Sequence, residues 1–118
     1  MSLSILQRKF SYNVAKLIIY IYDELHMSCS HGESWRTPEQ AKLYYEQRKG
    51  SLNSLHCDRL AIDLNLFDQN GNYLTKTEDY AKICAYWKSL DPANRWGGDF
   101  KNRPDGNHMS MSPDGIRG

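Results

Sequence analysis

His56 and Asp63 stand seven residues apart, and a second histidine with a polar strand-like neighbourhood, His108, follows much later in the chain. Two imidazoles and a carboxylate are the donor set of a catalytic zinc site, in which three protein ligands leave a fourth position for water. Zinc needs the imidazoles neutral and the carboxylate ionised, and it lowers the pKa of bound water to about 7. A general base must then take that water's proton and pass it to the leaving amine. Asp105, three residues before His108 in the turn Pro104-Asp105-Gly106-Asn107, is placed to do so. Pro-Asp-Gly recurs at 113 to 115 with no histidine behind it. The turn alone therefore carries no chemistry, and only its coupling to His108 singles out Asp105.

These residues need elements to hold them. Leu60, Ile62, Leu64 and Leu66 alternate, which predicts a β-strand with one apolar face. Asp63 projects from the other face beside the small Ala61, a rigid mount with room for an ion. His56 lies at an odd offset from Asp63 and would face the wrong way on one continuous strand, so it must sit on a bend before it. His108, Ser110 and Ser112 alternate with Met109 and Met111 in a second strand. If the two strands are neighbours, Asp63 and His108 point to the same side.

Around them, residues 2 to 26 carry apolar side chains at spacings of three and four, the stripe of a core helix capped by Ser2 or Ser4. A short strand is expected to end at Trp35-Arg36. Thr37-Pro38-Glu39-Gln40 reads as a helix start, with Thr37 at the N-cap and Gln40 closing a capping box, and the helix stops at Gly50. Arg36 thus precedes a rigid helix start, a good place from which to offer a fixed guanidinium. His31 and Glu33 read as loop polars rather than a metal pair. Residues 51 to 53 form a loop. Asp68-Gln69-Asn70-Gly71-Asn72 reads as a turn, with Asn70-Gly71 its strongest signal, before a short return strand at Tyr73-Leu74. Thr77 caps a third helix with Tyr80, Ile83, Cys84 and Trp87 inward, ending before Asp91-Pro92. Trp96-Gly97-Gly98-Asp99-Phe100 is a loop that either caps the core or walls a cleft, and a frayed tail starts at Pro113. The order predicts one α+β domain over 1–118, with helices on one face of a small, mainly antiparallel sheet and a cleft on the other.

Composition narrows the function classes. A net charge of +1 over 118 residues, with no basic run, gives no reason to expect nucleic acid. The three cysteines are odd in number and scattered, which argues against a disulfide framework. The longest apolar run, Leu17 to Tyr22, is far short of the ~20 residues that span a bilayer. Lys16 interrupts any signal-peptide core. The expectation is a monomer without membrane insertion, cytoplasmic until something releases it.

Ser54-x-His56, then Ala61-x-Asp63, then Asp105-x-x-His108 resembles the zinc D-alanyl-D-alanine carboxypeptidase and L-alanyl-D-glutamate endopeptidase group, the M15 peptidases, and phage endolysins among them most of all. The Trp96–Phe100 loop and Arg36-Thr37 before a helix are similar too. The resemblance implies a hedgehog/DD-peptidase-like fold, with Zn2+ held by His56, Asp63 and His108 and with Asp105 as general base and acid. It implies that Arg36 anchors substrate or stabilises the oxyanion and that Ser54 hydrogen-bonds near the metal. The implied substrate is a peptidoglycan stem peptide, cleaved during phage lysis. The chain departs from the group at Arg59, where the usual pattern has glycine. If that glycine takes positive φ, Arg59 is strained. This feature favours the alternative, a non-catalytic cell-wall-binding or structural module that keeps the fold.

Overall fold

A computed structural model describes residues 2–50 and 54–113. The loop expected at 51–53 and the tail expected beyond Pro113 lie outside the described residues. In chain order the elements are α1 (Leu3–Asp23), β1 (Ser28–His31), α2 (Pro38–Glu46), β2 (Ala61–Phe67), β3 (Tyr73–Leu74), a 3-10 turn (Thr77–Tyr80), α3 (Ala81–Leu90), β4 (Asn94–Trp96), a second 3-10 turn (Gly97–Asp99) and β5 (His108–Met111).

The strands form one antiparallel sheet in the order β1-β2-β5-β4, with β3 a short partner of β2. This is the α+β architecture the element order implied. Its centre is β2, where Leu64 and Leu66 lie buried on the apolar side. Phe10, Val14, Leu17 and Ile21 of α1 and Ile83 and Trp87 of α3 pack in the same cluster. Each such side chain, fully buried, contributes about 1.5–3 kcal/mol. Trp87 is fully buried, and its indole N–H donates to the carbonyls of Arg95 (3.0 Å) and Ser110 (3.2 Å). A buried indole with a satisfied N–H fastens α3 to β4 and β5 at once.

Local boundaries differ from expectation for identifiable reasons. Ser2 caps α1, accepting from Ile5 N at 3.3 Å, but the helix ends at Asp23, and His26 turns the chain with a φ of 54°. β1 stops at His31, short of Trp35, because residues 32–36 bond to two different segments of the site instead of continuing one ladder. Thr37 caps α2 as expected, accepting from Gln40 N at 3.0 Å, yet α2 ends at Glu46, before Gly50. The cap ahead of α3 is Lys76 rather than Thr77: Asp79 accepts from Lys76 N at 3.2 Å, and the chain makes a 3-10 turn before the α-helix. Between β2 and β3 the turn spans the five residues 68–72, with Asn70-Gly71 inside it. Gly71 has a φ of 81°, and the Asp68 carboxylate accepts from the backbone N–H of both Asn70 and Asn72 at 2.9 Å. Loops of three to five residues are the next most common hairpin connections after the two-residue turn. The strand β4 had no signal of its own; it is three residues long and is held by its neighbours.

Candidate metal centre

β2 and β5 lie side by side in the register that sets Asp63 directly opposite His108, with Ile62 opposite Met109 behind them. Period-two alternation then sends Asp63 and His108 to one side of the sheet. The backbone of Asp63 is locked from its other edge as well: its carbonyl accepts from Gly32 N (2.7 Å) and its N–H donates to Glu33 O (2.8 Å).

His56 arrives from a turn, as its offset required. Leu60 N bonds back to Leu55 O at 2.9 Å, and Arg59 N to His56 O at 3.3 Å. That pair is the Schellman arrangement, which needs a left-handed residue at its close. Arg59 occupies that position, with a φ of 57°. The strain expected of a non-glycine residue here is therefore present, and the Arg59 guanidinium lies over the Trp35 ring, 4.8 Å from its centroid.

The three side chains meet. One ligand atom from each of His56, Asp63 and His108 lies within 4.8 Å of the others. His56 Nε2 and His108 Nδ1 are each 3.4 Å from the same oxygen, Asp63 Oδ1. Bonds of about 2.0–2.1 Å at tetrahedral angles put two ligand atoms roughly 3.3–3.4 Å apart. Asp63 Oδ1 is buried and makes no hydrogen bond, although two imidazoles flank it. A buried carboxylate oxygen without a donor is costly unless a cation completes it. The donor set, its spacing and this orphaned oxygen all fit a zinc ion. Burial pushes the Asp63 pKa upward, but the adjoining His108 and His56 outweigh it and hold the carboxyl at about 2. It is ionised throughout the neutral range, as a ligand must be.

Asp105 stands at the rim, open to solvent on one side. Partial burial raises its pKa, the negative charge of Asp63 adds to the rise, and His108, His56 and Arg36 pull the other way without cancelling it. The two aspartates of the site are thus driven in opposite directions, the pattern of an acid–base group beside a permanently charged one. The Trp96–Phe100 segment clamps the Asp105 turn. Gly97 O accepts from Asp105 N (2.9 Å), and Trp96 Nε1 donates to Gly106 O (2.7 Å). A Cβ on Gly97 would come within 2.2 Å of Asp105 O and 2.7 Å of His108 Cβ. Trp96 packs against the core, one of the two roles open to this loop from sequence, and Gly97 in addition buttresses the Asp105 turn and His108 together.

Arg36 and Ser54 are joined to each other. Arg36 donates through Nη1 to Ser54 Oγ (3.1 Å), and Ser54 Oγ also accepts from His56 N (3.2 Å). The remaining guanidinium N–H groups go to Glu33: Nε donates to Oε1 at 2.8 Å and Nη2 lies 2.5 Å from it. Glu33, which reads from the sequence as a loop polar, thus holds Arg36 at the site. Its only sequence signal was its place three residues before Arg36.

No match is found among curated proteins. Among solved structures, the chain is similar to the crystal structure of the Serratia marcescens L-Ala D-Glu endopeptidase ChiX, with a TM-score of 0.70 over 92% of this chain and 85% of that one, at 18% identity. At that identity the likeness speaks for the fold alone. A family profile described as D-alanyl-D-alanine carboxypeptidase matches residues 47–111, more than half of the sequence, and with the fold and the gathered His-Asp-His set it establishes that the chain belongs to the M15 peptidases.

Proposed function

We propose that this peptidase is zinc-dependent and hydrolyses peptide bonds in peptidoglycan stem peptides, as an endolysin acting in phage lysis. The observation that carries the reading is the pair of imidazole nitrogens 3.4 Å from one unsatisfied, buried carboxylate oxygen. The similar Serratia protein is an L-Ala D-Glu endopeptidase, which supports the substrate class.

In this reading His56 Nε2, His108 Nδ1 and Asp63 Oδ1 hold the metal. When bound, zinc supplies a Lewis acid for the scissile carbonyl and an acidified water. The protein's own part is to keep the donors fixed and to move a proton. Asp105, whose pKa burial raises above that of an ordinary aspartate, takes a proton from the attacking water and delivers it to the leaving amine. Arg36, whose charge reaches Asp105, helps to stabilise the developing oxyanion. Ser54 fixes the turn that carries His56. Among the described residues no helix is long and apolar enough to cross a membrane, which suits a monomer that waits in the cytoplasm until it is released to the wall.

The test uses purified protein, its zinc content, and release of new amino groups from purified sacculi. Stoichiometric zinc with amino-group release supports the reading. Zinc-replete protein that sediments with sacculi but releases nothing would favour the non-catalytic wall-binding alternative.

A further inference from the structure

The Arg36–Glu33 ion pair faces the back of His56. Glu33 Oε1 is 3.6 Å from His56 Nδ1. That nitrogen is buried and has no hydrogen-bond partner. The other ring nitrogen, Nε2, faces Asp63 Oδ1. A neutral imidazole that gives Nε2 to a metal must carry its proton on Nδ1. Here that proton points towards a carboxylate a few tenths of an ångström beyond hydrogen-bonding reach, in a ring that is 2% exposed.

The carboxylate is itself held. Arg36 grips Glu33 Oε1 with two N–H groups, Arg36 also reaches Ser54 Oγ, and Ser54 Oγ takes the backbone N–H of His56. Arg36 N in turn donates to His56 O at 3.2 Å, and Glu33 O takes the N–H of Asp63. The guanidinium rests against the Tyr44 ring, 4.9 Å from its centroid. The contacts form a closed circuit, Arg36 to Glu33 to His56 to Ser54 and back to Arg36.

From this circuit we infer that Glu33 is a positioning residue for the metal centre: its carboxylate accepts the Nδ1 proton of His56, fixes the tautomer that offers Nε2, and is kept in place by Arg36. The inference rests on the metal reading above and deepens it. It also assigns Arg36 a second duty, as the anchor of Glu33. A carboxylate behind a ligating histidine typically changes metal affinity 10–100-fold.

Zinc affinity of the whole chain is measured by competition with a chromophoric chelator, for wild type, Glu33→Ala and Glu33→Gln. The expected result is a Kd weaker by about 10–100-fold in Glu33→Ala and by less in Glu33→Gln, which keeps an acceptor but loses the charge. In the zinc-loaded wild type the His56 Nδ1 proton gives a slowly exchanging, downfield NMR signal, which Glu33→Ala loses. If Glu33→Ala does not fold, Glu33→Gln and the NMR signal decide. Zinc affinities equal to wild type, with the Nδ1 signal intact, overturn the role of Glu33 and leave the metal reading standing. A wild type that takes up no zinc at all removes the metal reading and this inference with it.

Discussion

Two halves of the centre are built by different means. Asp63 and His108 sit on paired strands, facing each other across a ladder whose register places them. His56 and Asp105 sit on turns, and each turn is held by a neighbour: the 32–36 segment grips the first and the Trp96–Gly98 segment clamps the second. On the strand half, position follows from alternation and needs few special residues. On the turn half, it depends on close backbone approaches and on side chains that hold other side chains.

The largest effect comes from the strand half. In the proposed function, Asp63→Ala or His108→Ala removes a metal ligand from a rigid mount. We expect essentially complete loss of zinc by atomic emission and of peptidase activity, with the fold retained by circular dichroism. On the turn half, Asp105→Asn is expected to keep its zinc and lose about 10²–10⁴-fold in activity, the usual worth of a positioned acid–base group. Equal zinc loss in the two sets of variants would erase the distinction between the halves.

That distinction also decides what was legible in the sequence. The period-two runs at 60–66 and 108–112 announced both strands, and the strand half could be assembled from them with only the assumption of pairing. The odd offset of His56 revealed that it needs a bend, but not what holds the bend. The roles of Glu33 and of the clamp on Asp105 could not be read, because they rest on contacts between irregular segments that carry no periodic signal. β4 gave no signal either: three residues have no periodicity to read. The left-handed Arg59 was legible only through the resemblance, which marks the position as glycine.

Two stability measurements sharpen the contrast. Gly97→Ala puts a Cβ 2.2 Å from the Asp105 carbonyl, backbone against backbone, where no side chain can swing away. A loss of about 3 kcal/mol in denaturant unfolding is expected, the upper end of overpacking costs, with activity falling further than stability accounts for. A variant of normal stability and activity would mean that the clamp is slack. In the metal-free protein, the depressed Asp63 pKa is the corresponding term of the strand half. It contributes stability above the unfolded-state pKa of 3.8, and this is lost as pH falls from 3.8 towards about 2. The expected loss is about 2 kcal/mol across that window, absent from Asp63→Asn.

The smallest effect bears most directly on whether Arg59 marks a degenerate site. A non-glycine residue in the left-handed region costs about 1–2 kcal/mol. Glycine there would relieve the strain but give back about 0.5–1 kcal/mol in unfolded-chain entropy. It would also lose the contact of Arg59 with Trp35, worth about 0.5–1 kcal/mol at an exposed site. The terms nearly cancel, so Arg59→Gly should stay within about 0.5 kcal/mol of wild type. Arg59→Ala keeps the strain and loses the ring contact, and should be less stable than wild type by about 0.5–1 kcal/mol. A double-mutant cycle with Trp35→Ala isolates that coupling. If the arginine is a compensated replacement, both Arg59 variants keep wild-type zinc affinity, since the Schellman hydrogen bonds that aim His56 come from the backbone. Tighter zinc binding by Arg59→Gly would show instead that the arginine distorts the turn, and would strengthen the non-catalytic reading.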